Sequence, residues 1–143
     1  MLLCAKKKTN SGFTAALGKW NWPWGKVDPW ESFVEAARRE LQEEVWVEVA
    51  LDRFTEVWVI HFSRATKKER DQTCYIYVVK DYDGEIVETD EVKPQRFNIA
   101  DIPYDKMRQD DIYRMPRMLA GEYVEYTFYF TDEGAIISHD VIK

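Results

Sequence analysis

Residues 25–47 read GKVDPWESFVEAARRELQEEVWV. The stretch predicts a helix over residues 30–45. Asp28 is a capping residue, Pro29 suits a first turn, and Glu31 stands three positions after Asp28, as in a capping box. On a helical wheel Val34, Ala37, Leu41 and Val45 form one narrow stripe, which predicts the core-facing side. Glu40, Glu43 and Glu44 share the flank beside it. Like charges at these spacings destabilise a helix by about 0.2–0.5 kcal/mol per pair. Arg39 relieves part of that, with Glu35 and Glu43 four residues to either side, and a divalent cation would relieve more. The candidate ligands are all oxygens, with no histidine or cysteine nearby, which selects Mg²⁺ or Mn²⁺ over zinc. Taken alone, the cluster reads as a solvated acidic face.

The rest of the chain frames this helix. It has 143 residues, 45% hydrophobic and 32% charged, which suits a single domain over 1–143 with one core. No apolar run approaches the roughly 18 residues that span a bilayer. In MLLCAKKK the lysines follow the short apolar stretch, the reverse of a signal peptide. Cys4 and Cys74 have neither zinc nor redox spacing, so a cytoplasmic setting is expected. The net charge of −6 argues against broad nucleic-acid or membrane binding. A monomer is expected. Residues 1–8 look like a strand with a basic end, and 9–29 like a long loop. Residues 54–62, 73–80, 124–130 and 135–142 are rich in apolar, β-branched and aromatic residues and predict strands. DYDGE at 81–85 and TDEGA at 131–135 supply turns, and a shorter helix is expected over 110–120. The order predicts an α+β or mixed α/β layered fold.

From Gly25 the chain reads Gly, five residues, Glu31, seven residues, then Arg39-Glu40-Leu41-Gln42-Glu43-Glu44. This resembles the Nudix box, G-x5-E-x7-R-E-U-x-E-E-x-G-U with U aliphatic. A chance match to all seven fixed positions is rare at average residue usage. Val47 matches the closing aliphatic position, whereas Trp46 stands where the family has glycine. KWNWPWGKV, ARRELQEE, ETDEVKPQRF, IPYDKM and DDIYRMP resemble, in order, segments of the MutT-like Nudix branch that hydrolyses oxidised purine nucleoside triphosphates such as 8-oxo-dGTP.

That resemblance implies a Nudix fold, a mixed sheet sandwiched between helices, with the box as a loop–helix–loop. It implies Mg²⁺-dependent hydrolysis of a nucleoside triphosphate to monophosphate and pyrophosphate, with Mn²⁺ as a substitute. Glu40 and Glu44 match the principal metal ligands, Glu43 is a third carboxylate, and the Gly25 carbonyl reaches metal. Glu31 and Arg39 match box positions that pair and orient the helix. Glu91 matches a carboxylate from another loop that acts as metal ligand or general base. Asn21 and the Asp110–Asp111 pair match purine readers. Adjacent carboxylates in a partly dry pocket tend to share one proton, so a protonated and an ionised Asp would read the base together. The bland alternative is that one of them caps the following helix. Arg108 stands where the family has a stacking tryptophan, and a guanidinium also stacks on bases. Lys6 matches a lysine near the nucleotide. His61 and His139 match no role. Two other readings remain open at this stage: a broad nucleotide pyrophosphohydrolase, and a nucleotide-binding domain without turnover.

Trp22, Trp24, Trp30 and Trp46 all align with family glycines. Position 46 falls just past the helix, where a left-handed backbone is expected. Glycine makes up 6 of 143 residues, and restoring four gives 10 of 143, the usual share of about 7%. These tryptophans are therefore expected to be UGA codons read as Trp in a gene that reads them as Gly. The family also has a strand ahead of the segment matching MLLCAKKK, and that strand is expected to be missing.

Overall fold

The structure is a computed structural model, and residues 2–6, 20–89 and 92–142 are described, with side chains excluded for 2–6 and 57. The chain forms two compact units: Met1–Thr55 with Val79–Arg108, and Glu56–Val78 with Gln109–Lys143.

In the first unit β1 (Leu2–Lys6) lies between β2 (Trp20–Asn21) and β5 (Val92–Arg96), antiparallel to both. Cys4 pairs with Asn21 on one side and Pro94 on the other. β2 and β5 were not anticipated as strands. Pro94 argues against a strand, but β5 is an edge of this sheet, where a missing N–H costs no ladder bond.

Helix α1 spans Phe33–Val45. Its start corrects the expected cap. Ser32 is the N-cap, and its hydroxyl accepts from the Glu35 amide at 3.3 Å while Glu35 accepts from the Ser32 amide at 2.7 Å. This is a full capping box, four residues later than expected. Asp28 and Glu31 make a separate turn ahead of the helix. The Asp28 amide donates to the Glu31 carboxylate at 2.9 Å, and the Glu31 amide donates to the Asp28 carbonyl at 3.2 Å. Glu31 is thereby held outside the helix, where Arg39 reaches it. At the other end Trp46 closes α1 at φ 63°, ψ 27°, its amide donating to Gln42 at 3.0 Å. Among the described residues it is the one non-glycine with positive φ.

The apolar stripe is rotated from the expected one. Val45, Val47 and Val92 form a core cluster with Leu41, Tyr82 and Ile86 against it. Ala36 is buried as well, whereas Val34 and Ala37 are only partly covered. Burying a valine fully contributes about 1.5–3 kcal/mol, so these three residues anchor the C-terminal turn of α1. Glu48 and Asp83 exchange backbone hydrogen bonds at 2.9 Å each, which fixes the chain beyond the helix.

The second unit holds a mixed sheet in the order β4-β3-β6-β7, from β3 (Phe54–Arg64), β4 (Gln72–Val79), β6 (Val124–Phe130) and β7 (Ile136–Val141). β3 runs parallel to β6, and β6 antiparallel to β7. The expected strands hold to within about two residues. β6 alternates as a half-buried strand should: Val124, Tyr126, Phe128 and Phe130 point inward. Trp58 stacks on Tyr126 at 5.4 Å, and its Nε1 donates to the Glu122 carbonyl at 2.9 Å. The turn into β7 depends on Gly134 at φ 96°, a left-handed position in the TDEGA stretch. Helix α2 spans Asp111–Leu119, one residue inside the expected limits at each end.

Candidate functional site

The acidic flank of α1 is covered by the backbone of the loop before it. Glu40 and Glu44 lie one turn apart, so both carboxylates face the same way. The Trp24 amide donates to Glu44 Oε2 at 3.1 Å, and Glu44 is buried, 6% exposed. Gly25 approaches Glu40 so closely that a Cβ there would overlap the carboxylate. A side chain at this position would have to push the end of the Glu40 side chain aside. Glu43 sits on the outer side of the same face, its side chain 60% exposed.

One guanidinium organises this face. Arg39 Nε and Nη2 donate to the two oxygens of Glu31 at 3.1 and 2.5 Å, a bidentate fork. Nη2 also donates to the Lys26 carbonyl at 2.9 Å. Nη1 donates to Glu40 at 2.7 Å and to Glu43 at 3.3 Å. Arg39 thus ties the loop to the helix and turns Glu40 toward Gly25. Hydrogen bonds from Arg39 and then from the Asp28 amide hold the Glu31 carboxyl below its ordinary value of 4.5. The same carboxylates, Glu31 first and then Glu40, push the Arg39 guanidinium further up, so it stays charged.

The donor set is two carboxylates beside a loop backbone, oxygens only. Magnesium sites use one or two carboxylates and leave the remaining positions to water and substrate phosphate. Glu40, Glu44 and the Gly25 backbone fit a hard divalent ion in that manner. Among the described residues no three acidic, imidazole or thiol side chains converge on one point. Glu91, the expected further ligand, lies outside the described residues. Lys6 pairs with Val92 through β1, and its side chain is outside the description.

The expected base readers lie on two elements. Asn21 is buried in β2, and its Oδ1 accepts from the Trp22 amide at 2.9 Å. Arg108 is partly buried in the first unit. In the second unit Asp110 and Asp111 are closed to water, both 0% exposed. Arg114, 4% exposed, donates from Nε to Asp110 Oδ2 at 2.8 Å and from Nη2 to Asp111 Oδ1. Asp110 occupies the N-cap position of α2 but makes no side-chain cap bond, because its carboxylate is turned to Arg114. Arg114 was not singled out from sequence. Its signal was present: three and four residues after adjacent aspartates in a helix, it shares their face. His61 bridges strands, with Nε2 2.6 Å from Glu125 and Nδ1 3.0 Å from Thr73. His139 packs against the Tyr113 ring at 4.9 Å. Among the described residues no helix is long and apolar enough to cross a membrane.

The NUDIX domain family matches residues 1–135. The chain is 37% identical over 139 residues to the oxidized purine nucleoside triphosphate hydrolase of Danio rerio, covering 97% of this chain and 84% of that protein. It is 32% identical over 141 residues to the Mus musculus protein of the same name, covering 99% and 85%. The crystal structure of a mutator MutT protein from Bacillus halodurans superposes with a TM-score of 0.80 at 19% identity, over 99% of this chain and 88% of that one. That of a NUDIX hydrolase from Nitrosomonas europaea gives 0.60 at 21% identity, over 92% and 71%.

Proposed function

The chain belongs to the Nudix hydrolase family and has its mixed α/β fold, and from that premise we propose that it converts oxidised purine nucleoside triphosphates to monophosphate and pyrophosphate, with Mg²⁺ as its metal and Mn²⁺ as a substitute. One observation carries the reading: Glu40 and Glu44 stand one turn apart with the Trp24–Gly25 backbone laid against them. The names of the zebrafish and mouse relatives support the substrate class. A single family match running through both units supports one Nudix domain.

In this reading Glu40, Glu44 and the Gly25 carbonyl hold the ion, with Glu43 beside them and Glu91 as a further ligand or base. A bound divalent ion supplies charge neutralisation at phosphate oxygens and makes bound water more acidic. The chain's own part is orientation. Arg39 fixes the Glu40 rotamer and clamps the loop through Glu31 and Lys26. Glu44 is fixed by the Trp24 amide, so it meets its partner without reorganising. Asn21, Asp110 and Asp111 are the base-recognition candidates, with Arg108 as a stacking group and Lys6 near the phosphates. We place the protein in the cytoplasm as a monomer. Pyrophosphate release from 8-oxo-dGTP and dGTP, with and without Mg²⁺, tests the reading. Metal-dependent release favouring the oxidised base is expected, and nucleotide binding without release overturns it.

A further inference from the structure

We propose that Gly84 is a positioning residue for Glu44: the turn at residues 83–87, which Gly84 makes possible, braces the last turn of α1, so that closure of this turn and binding of a divalent ion at Glu44 are coupled. The proposal rests on reading Glu40 and Glu44 as the carboxylates that hold the metal.

Glu44 is the residue before last in α1, which ends at Val45. A helix ends with carbonyls that have no partner further along it, and such ends fray. The Trp24 amide holds the carboxylate end of the Glu44 side chain. Its backbone end needs a hold of its own.

Residues 82–87 supply that hold. Glu48 and Asp83 exchange backbone hydrogen bonds of 2.9 Å in both directions, and the Val87 amide donates to the Val45 carbonyl at 3.4 Å. The two shorter bonds are the stronger tie, and the longer one reaches the helix itself. Tyr82 and Ile86, on either side of the turn, pack against the cluster of Val45, Val47 and Val92. The Arg96 guanidinium lies over the Tyr82 ring, 5.5 Å from its centroid, and links the turn to β5. All of these residues belong to the first unit.

Gly84 lets the turn come this near. Its φ is 101°, which L side chains rarely adopt, and a Cβ there would lie 3.1 Å from the Trp46 carbonyl oxygen. That oxygen is backbone and cannot swing aside as the end of a flexible side chain can. Alanine at 84 must back the turn away from the end of α1 or push that end with it. Trp46 itself closes the helix at φ 63° without the freedom of glycine, so this end depends the more on an outside brace. Gly84 has no side chain to offer an ion, so it acts through the helix. Coupling of this kind is reciprocal: whatever closure of the turn adds to ion binding, the ion adds to closure of the turn.

The test compares Mn²⁺ binding to nucleotide-free parent, Gly84→Ala and Gly134→Ala proteins, read from the electron paramagnetic resonance signal of the free ion. Gly134 is the matched control, a turn glycine at φ 96° in the second unit. Both variants are expected to lose stability. Only Gly84→Ala is expected to bind Mn²⁺ more weakly, by about tenfold, the low end of the loss when a group that orients metal ligands is removed. An affinity equal to the parent's, or the same fall in both variants, overturns the proposal. The second measurement uses the parent alone and decides by itself if Gly84→Ala does not fold. Saturating Mg²⁺ is expected to slow amide hydrogen exchange at Glu48, Asp83 and Val87 by a larger factor than at Thr131, whose amide donates to Ala135 at 2.8 Å in the turn at Gly134. No slowing overturns the proposal, as does an equal factor at both turns, which reports only stabilisation of the whole fold. A parent that binds no divalent ion overturns the metal reading and the brace with it. A parent that binds the ion without linkage to the turn overturns the brace and leaves the hydrolase reading intact.

Discussion

The Glu40 carboxylate occupies the space where a side chain on Gly25 would begin. Loop and helix therefore meet as backbone against carboxylate, and a methyl group at Gly25 would have to move the Glu40 carboxylate. Gly25→Ala should displace either the loop or Glu40. A misplacement of about 1 Å at reacting groups costs roughly 100-fold in rate. We expect kcat/KM for triphosphate hydrolysis to fall by about that factor, with a weaker apparent affinity for Mg²⁺ and a normal circular-dichroism spectrum. Metal-titrated kinetics on the variant check this.

Arg39 holds Glu31 by a two-pronged contact that lysine cannot reproduce. Arg39→Lys should lower Tm and activity together, since it frees both the loop and Glu40. The pH dependence has a definite sign. The folded-state value of Glu31 is depressed below 4.5, so its stabilisation is present above about 4.5 and is lost as pH falls through the lower folded value. The Tm gap between parent and Arg39→Lys should therefore narrow from pH 6 to pH 3. A gap that is constant over that range would contradict the assignment.

Asp132 gives a second acid-sensitive contact, remote from the box. Its carboxylate accepts from the Thr66 hydroxyl and from the Thr66 and Lys67 amides, which pulls its value from 3.8 down to about 2. The stabilisation is complete above about pH 4 and disappears as pH falls toward 2. Asp132→Asn should lower Tm at pH 7 and approach the parent Tm at pH 2. Thermal melts of the two proteins at both pH values decide it.

Trp46 ends α1 in the left-handed region at φ 63° with its side chain 64% exposed. It gains little by burial and carries a backbone conformation costing roughly 1–2 kcal/mol for a bulky residue. Trp46→Gly should raise stability by about that amount, or roughly 2–8 °C in Tm for a chain of this size. Trp30, 82% exposed, should also be replaceable by glycine without loss. Trp22 and Trp24 are half-buried and are expected to lose packing on the same change. The codons add an independent check. UGA at 22, 24, 30 and 46 with UGG at Trp20 supports a misread glycine, and UGG throughout contradicts it.

The features legible in the sequence were those that recur at fixed spacing. The charges from Gly25 to Glu44 placed the helix and its carboxylate face, and the apolar, β-branched and aromatic runs placed β3, β4, β6 and β7. What was missed depended on competition between equivalent local choices or on contacts distant in sequence. Asp28–Glu31 and Ser32–Glu35 have the same capping spacing. Arg39, eight residues further on, takes the first glutamate and leaves the second to cap. β5 was hidden by Pro94, which only an edge strand tolerates. The apolar wheel gave Leu41 and Val45 but not the burial of Glu44, which follows from the Trp24 amide twenty residues earlier. Arg114 meets Asp110 and Asp111 because residues 111–119 are helical and spacings of three and four share a face, a contact the carboxylate pair alone does not signal.

The most direct test of the account is pyrophosphate release from 8-oxo-dGTP in the parent, Glu40→Gln and Glu44→Gln proteins across a Mg²⁺ titration. Loss of a metal-holding carboxylate should cost at least the roughly 100-fold that loss of an outer-shell partner does. The account predicts Mg²⁺-dependent release in the parent and a fall of that size in each variant, with the fold retained. Parent protein that binds the nucleotide without releasing pyrophosphate, or variants that keep the parent rate, would contradict it.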